Sequence, residues 1–143
     1  KDWSDVIEVD LTAPFRLARA SLRGMMKRRS GRIISIASIV GVTGNPGQAN
    51  YVASKAGVIG LTRDLAQQWG ARKGIRVNAV RPGLIETEIH ASGGRPNRVE
   101  ELKAGVPMGR GGTADEVAQL IVWLLSDAAS YTTMSLIDVS GAR

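Results

Sequence analysis

Apolar positions recur at helical spacing from about residue 3 to residue 28, through Val6, Ile7, Phe15, Ala18, Leu22, Met25 and Met26. Pro14 lies inside this pattern, and a ring without an N–H in a helix interior predicts a kink there. GRIISIAS (31–38) is a short, mostly apolar, Ile-rich run bounded by Gly, the signature of a buried strand. VGVTGNPGQAN follows as a turn-rich loop. From about 50 to 73 a second helix is predicted, with Val58, Leu61, Leu65 and Trp69 on one face and Gly74 as its stop. GIRVNAVRPG (74–83) reads as a second strand that ends in a Pro-Gly break, and residues 84–112 as irregular. Thr113 and Glu116 form a capping box ahead of Val117, Leu120, Ile121, Leu124 and Leu125, which marks a third helix. SLIDVSG (135–141) reads as a third strand.

This alternation of apolar strands with helices predicts an α/β fold, a parallel sheet covered by helices. About three strands and three main helices make a thin sheet with one edge left bare, so part of the domain is expected to lie outside these 143 residues. No repeat or low-complexity tract interrupts the pattern.

Composition fits one globular domain, with 43% hydrophobic and 22% charged residues and no apolar run of membrane-spanning length. There is no Cys, which removes disulfide and thiolate chemistry and accords with a reducing cytoplasm. The net charge of +6 raises the question of nucleic acid, yet the basic residues are scattered except in KRRSGR (27–32). That cluster falls at a predicted helix end, where cations complement the helix dipole. Aromatic residues make up 4% of the chain, too few for base-stacking platforms, so neither a nucleic-acid partner nor a membrane is expected.

The chemistry concentrates in NYVASKAG. Tyr51 and Lys55 are four apart on a predicted helix and so share a face. An ammonium beside a phenol favours phenolate, so the Tyr51 pKa is expected to fall towards the range useful for proton transfer. Small neighbours, Val52, Ala53, Ser54 and Ala56, would let a flat ligand lie close. Taken alone, such a pair is an ordinary surface feature. Ser38, however, ends the preceding strand, Pro82–Gly83 ends the next, and open α/β sheets bind ligands at the carboxyl ends of their strands.

Ser38, then Tyr51, then Lys55, followed by VNAVRPGLIET, resembles the short-chain dehydrogenase/reductase family over essentially the whole chain. NPGQANYVASKAGVIGLT is most similar to its 3-oxoacyl-[acyl-carrier-protein] reductases, while EIHASGG and PMGRGGTADEVAQLIVWLLSDAASY resemble other members. The resemblance implies a Rossmann-like doubly wound parallel sheet of which residues 1–143 are the C-terminal catalytic part. It implies NAD or NADP as cofactor and a small carbonyl or alcohol substrate, an acyl-carrier-protein thioester among them. Tyr51 would be the general acid or base, and Lys55 would lower its pKa and hold the nicotinamide ribose. Ser38 would polarise the substrate carbonyl, and Pro82, Gly83, Ile85 and Thr87 would line the nicotinamide. A dimer or tetramer packed through the two long helices, in the cytoplasm, is also implied. No metal is.

Several features depart from that pattern. The family's opening βαβ unit, with its Gly-rich phosphate turn, is not among these residues, so weak cofactor binding by this chain alone is expected, and a non-catalytic remnant is the rival reading. Asp10 stands where the family usually has a catalytic Asn. Pro14 cannot donate to the Asp10 carbonyl four residues back, so that carbonyl is expected to be free to hold a water of a proton relay. Met134 and Ala142 stand where Gly is usual, which raises a question of stability at the last strand. His90 is the only histidine and is expected to face solvent, as are Glu86 and Glu88. Trp69, Trp123, Met25 and Met26 are assigned to core or interface.

Overall fold

In the computed structural model, which describes residues 2–143 (the side chain of Ala71 apart), the first helical stretch runs without a break from Trp3 to Arg28. It is built of α1 (Trp3–Ile7), a π-helical turn (Glu8–Thr12) and α2 (Ala13–Arg28). The predicted kink is therefore a widened turn just ahead of Pro14. Ala13 N–H donates to the Glu8 carbonyl, one residue further back than in an α-helix. The reason is the proline: with no N–H of its own, it leaves the local ladder free to change register. Arg29 then closes α2 in the left-handed conformation, φ 53°. The basic cluster is thus a helix end, as its position predicts.

β1 (Gly31–Ile36) follows, then the single turn α3 (Val40–Thr43) and α4 (Ala49–Leu65). The second long helix leaves α geometry after Leu65 through a π turn (Ala66–Gly70) and a 3₁₀ turn (Ala71–Lys73). Gly74 stops it at φ +72°, where a Cβ would lie 2.2 Å from the Arg29 carbonyl oxygen, so only glycine lets the two helix ends meet. β2 (Ile75–Pro82) pairs in parallel with β1, Gly31 opposite Ile75, and with β5 (Leu136–Val139), Ala79 opposite Leu136. The sheet order is β1-β2-β5.

Between these strands lie β3 (Ile85–Glu86), α5 (Ile89–Ser92), α6 (Arg98–Leu102), β4 (Gly112–Thr113) and α7 (Ala114–Leu125). The segment read as irregular therefore contains a small two-stranded parallel sheet, β3 with β4. The capping box forms as expected: Thr113 Oγ1 accepts from Glu116 N–H, and the Glu116 carboxylate accepts from Thr113 N–H at 2.8 Å. A hydrogen bond from Arg110 and the capping contact at Thr113 hold the Glu116 carboxyl down at about 2.

Alternation along β2 divides the core. Ile75, Val77 and Ala79 meet α2 and α4 on one face, while Val80 meets Leu124 of α7 and Ala129 on the other. Helix, sheet and helix form three layers. Asn78, fully buried on the α7 side, ties the last loop to the central strand: its Nδ2 donates to the Thr132 carbonyl and its Oδ1 accepts from Ser135 N–H. Of the two places expected for the tryptophans, core or interface, the core is excluded within this chain: Trp69 is 37% and Trp123 42% exposed, each on the outer flank of its helical segment. Met25 and Met26 do pack against the core.

Met134 and Ala142 both adopt positive φ, 59° and 73°, the conformation that makes glycine useful there. Left-handed backbone costs a non-glycine residue roughly 1 kcal/mol. Met134→Gly and Ala142→Gly are each expected to stabilise the fold by about 0.5–1 kcal/mol, allowing for the added flexibility of the unfolded glycine. A rise in the thermal midpoint of each variant checks this; a fall in both would contradict it.

Candidate active site

α4 begins just after the loop that follows β1, so Tyr51 and Lys55 in its first two turns stand beside the carboxyl end of that strand. Ser38 lies two residues beyond β1, where Ala37 N–H still bonds the Val80 carbonyl and Ile39 N–H the Pro82 carbonyl. The ends of β1 and β2 are thereby fastened together, with Ser38 between them. On the other side, a Cβ at Gly57 would meet Leu11 at 2.7 Å; its absence lets the π turn that carries Asp10 press against α4.

The structure brings Ser38, Tyr51, Lys55 and Asp10 into one neighbourhood. Ser38 is buried, and its hydroxyl lies near enough to the Tyr51 phenol to favour the phenolate. The Lys55 ammonium lies 5.4 Å from the centre of the Tyr51 ring and donates to the Ile36 carbonyl at 3.1 Å. The Asp10 carboxylate acts electrostatically on both Tyr51 and Lys55. Asp10 and Lys55 also border a cleft of about 440 Å³ beside β1. Ser54 faces the interior and donates to the Tyr51 carbonyl, so of the small residues it offers no ligand surface.

The expected direction of the tyrosine shift is overturned. Burial pushes the Tyr51 phenol above its usual value; the Ser38 hydroxyl pulls it back, Asp10 pushes it further up, and Arg98 pulls it down. Burial likewise lowers Lys55, which Asp10 partly restores. The physical reason is desolvation: both groups lose water on packing, and each resists its charged form. At neutral pH the phenol therefore carries its proton and is set to donate it.

Pro82 and Gly83 share the rim with Ser38 through the Ile39–Pro82 bond. Ile85 sits instead in β3 opposite Gly112, and Thr87 is exposed beyond it; neither is drawn to Tyr51 by a hydrogen bond. His90 does not face solvent: its Nε2 lies 2.7 Å from the Ile85 carbonyl and folds α5 back onto β3. Glu86 and Glu88 are exposed, as expected. Among the described residues, no group of three or more His, Cys, Asp or Glu is placed to hold a metal, and no helix is long and apolar enough to cross a membrane.

Two participants were invisible in the sequence pattern. Arg98, whose charge reaches Tyr51, comes from α6 in the least patterned stretch, with no spacing rule to link it to α4. The partner of Lys55 is a backbone carbonyl, which no side-chain motif can announce.

A family model described as Enoyl-(Acyl carrier protein) reductase matches residues 1–141. Over 141 residues the chain is 48% identical to a 3-oxoacyl-[acyl-carrier-protein] reductase of Vibrio cholerae, which covers 99% of this chain and 57% of that protein. The corresponding protein of Salmonella typhimurium is 49% identical over 140 residues, 98% of this chain and 57% of its own length. Nodulation protein G of a Rhizobium strain is 49% identical over 140 residues, 98% and 56%. The chain spans a little over half the length of the curated relatives it matches.

Proposed function

Because this chain belongs to the short-chain dehydrogenase/reductase family, we propose that Ser38, Tyr51 and Lys55 form the proton-handling half of a nicotinamide-dependent oxidoreductase that interconverts ketone and alcohol. The observation that carries it is the gathering of the Ser38 hydroxyl and the Lys55 ammonium about one half-buried tyrosine, the hydroxyl acting on its phenol and the ammonium 5.4 Å from its ring centre. A 3-oxoacyl thioester of acyl carrier protein is the substrate class, in keeping with what the relatives' names say they reduce.

Ser38, fixed between two strand ends, hydrogen-bonds the substrate carbonyl and polarises it. Tyr51, protonated at neutral pH, gives its proton to that oxygen as negative charge builds there. Lys55 then stabilises the phenolate left behind, and the Asp10 carbonyl holds a water through which the proton is restored. That carbonyl has no α-helical donor, since the residue four positions on is Pro14. A bound NAD or NADP supplies the hydride. The residues present suit its nicotinamide ribose end: Lys55 presents ammonium donors, Pro82 and Gly83 stand at the carboxyl end of β2, and Ile85 and Thr87 lie further along the same segment. No Gly-rich strand–turn–helix is present among these residues for the pyrophosphate, which leaves a non-catalytic module as the rival reading.

Two surface features support the partners. Arg29 Nη2 donates to the Arg72 carbonyl, so the exposed basic ends Lys27–Arg29 and Arg72–Lys73 form one positive surface suited to an acidic carrier protein. Exposed Trp3, Phe15 and Trp69 on the two long helices supply apolar area for a homodimer or tetramer. Cysteine-free composition is in keeping with a cytoplasmic setting.

The test is NADPH oxidation driven by a 3-oxoacyl thioester. The chain alone is expected to turn over slowly; joined to the remaining length of a relative, it is expected to turn over readily. A completed, folded protein with no thioester-dependent oxidation would remove the enzymatic reading in favour of the rival.

A further inference from the structure

α6 brings a cation to the site and leaves it without a counter-ion. Gly111 has no side chain to hold that helix off: a Cβ there would lie 2.7 Å from Val99 Cγ1, so α6 presses against the approach to β4. Arg98, the residue before Val99, is partly buried, and its charge is felt at the Tyr51 phenol. Two carboxylates on α6 itself could neutralise it, and both are engaged elsewhere, Glu100 by Lys103 at 2.6 Å and Glu101 by Arg95. Glu116, beyond β4, is held by Arg110 at 2.6 Å. Among the described residues, the Arg98 side chain has neither an ion pair nor a hydrogen bond. A guanidinium that has lost part of its water and kept its donors open favours an anionic ligand.

We propose that Arg98 receives the carboxylate of a free 3-oxo acid whose ketone oxygen lies at Ser38 and Tyr51, so that such acids are substrates alongside thioesters. The proposal rests on the redox reading of Ser38, Tyr51 and Lys55. A single carbon separates ketone from carboxylate in a 3-oxo acid, so one small molecule meets the phenol with one end and the cation beside it with the other. The guanidinium fork matches a carboxylate with two parallel hydrogen bonds. A thioester in the same place offers one neutral carbonyl oxygen and no charge. The reaction balances as for any ketone: the carbonyl carbon takes a hydride from the reduced nicotinamide, and its oxygen takes the Tyr51 proton. The products are a 3-hydroxy acid and the oxidised nicotinamide, and the carboxylate stays ionised throughout. Arg98 is thus a specificity residue, chosen by its place in the fold and by the absence of any acid of the chain to occupy it.

The test uses acetoacetate, acetone and the acetoacetyl thioester of N-acetylcysteamine. In the full chain, isotopically labelled, acetoacetate is expected to shift the Arg98 Nε–H resonance, and acetone, which has no carboxylate, to leave it in place. Arg98→Gln is expected to weaken acetoacetate binding by at least about tenfold, the share of a charge-assisted pair. Arg98→Lys is expected to weaken it less, since the charge remains and only the fork is lost. In the completed protein, NADPH oxidation is expected with the acid and with the thioester. There Arg98→Gln is expected to raise KM for the acid at least about tenfold more than for the thioester, whereas a merely structural loss would move both together. Equal acetoacetate binding by the Gln variant, an Arg98 resonance that acetone moves as far, or equal changes in the two KM values would overturn the proposal. Oxidation with the thioester alone overturns it too and leaves the redox reading standing. Oxidation with neither substrate, while acetoacetate still moves Arg98, sinks the redox reading on which the proposal rests.

Discussion

Tyr51→Phe is expected to slow thioester-dependent NADPH oxidation by roughly 10²–10⁴-fold, the range that one positioned acid contributes. The variant keeps the ring, the Lys55 contact on its face and the burial, and removes only the hydroxyl. Folding should therefore be untouched, and the loss should fall on kcat with KM little changed, because the proton is needed most in the transition state. The raised phenol pKa also sets the sign of the pH response. The protonated form is the stabilised one, so its contribution to folding is complete below 10.0, the ordinary value, and is lost as pH rises through the higher folded value. As a donor, Tyr51 should hold the reduction rate steady from about pH 6 to 9 and lose it only in stronger alkali. Unchanged turnover in the Phe variant would remove the phenol from the chemistry.

Asn78→Leu is expected to destabilise the fold by about 2–4 kcal/mol. Asn78 is fully buried in the central strand and clamps both ends of the loop from Thr132 to Ser135. Leucine fills similar space but leaves the Ser135 N–H without its acceptor and the Thr132 carbonyl with Arg76 alone. Against a typical stability of about 5–15 kcal/mol this is a large share. Urea unfolding measures it, and amide exchange at Ser135 should quicken well before the rest of β5 does. A variant as stable as the parent would show that water or loop movement replaces the clamp.

The three main helices and three main strands were legible because each carries a full period of apolar positions: Ile75, Val77 and Ala79 alternate, and Val58 and Leu65 fall on one helical face. The proline at 14 told of a disturbance but not its form, since a missing N–H can be met by a bend or by a wider turn. β3 and β4, two residues each, are too short to show any period. For Trp69 and Trp123 the sequence left core and interface open, because bulk alone does not say which flank of a helix is covered. Within the proposed site, the Tyr51–Lys55 pair follows from helical spacing and Ser38 from its place at a strand end. The direction of the Tyr51 shift could not, because it depends on how much water packing removes, a quantity of the folded chain. Nor could the Ile36 carbonyl, nineteen residues before Lys55, or Arg98 on its separate turn.

The account depends on three side chains working as one device on one substrate oxygen. In the completed protein, turnover is to be measured for Ser38→Ala, Tyr51→Phe, Lys55→Met and the triple variant. A device that works as a unit predicts a triple variant no more than about tenfold slower than the slowest single. Losses that multiply across the three positions would show that each acts separately, and would contradict it.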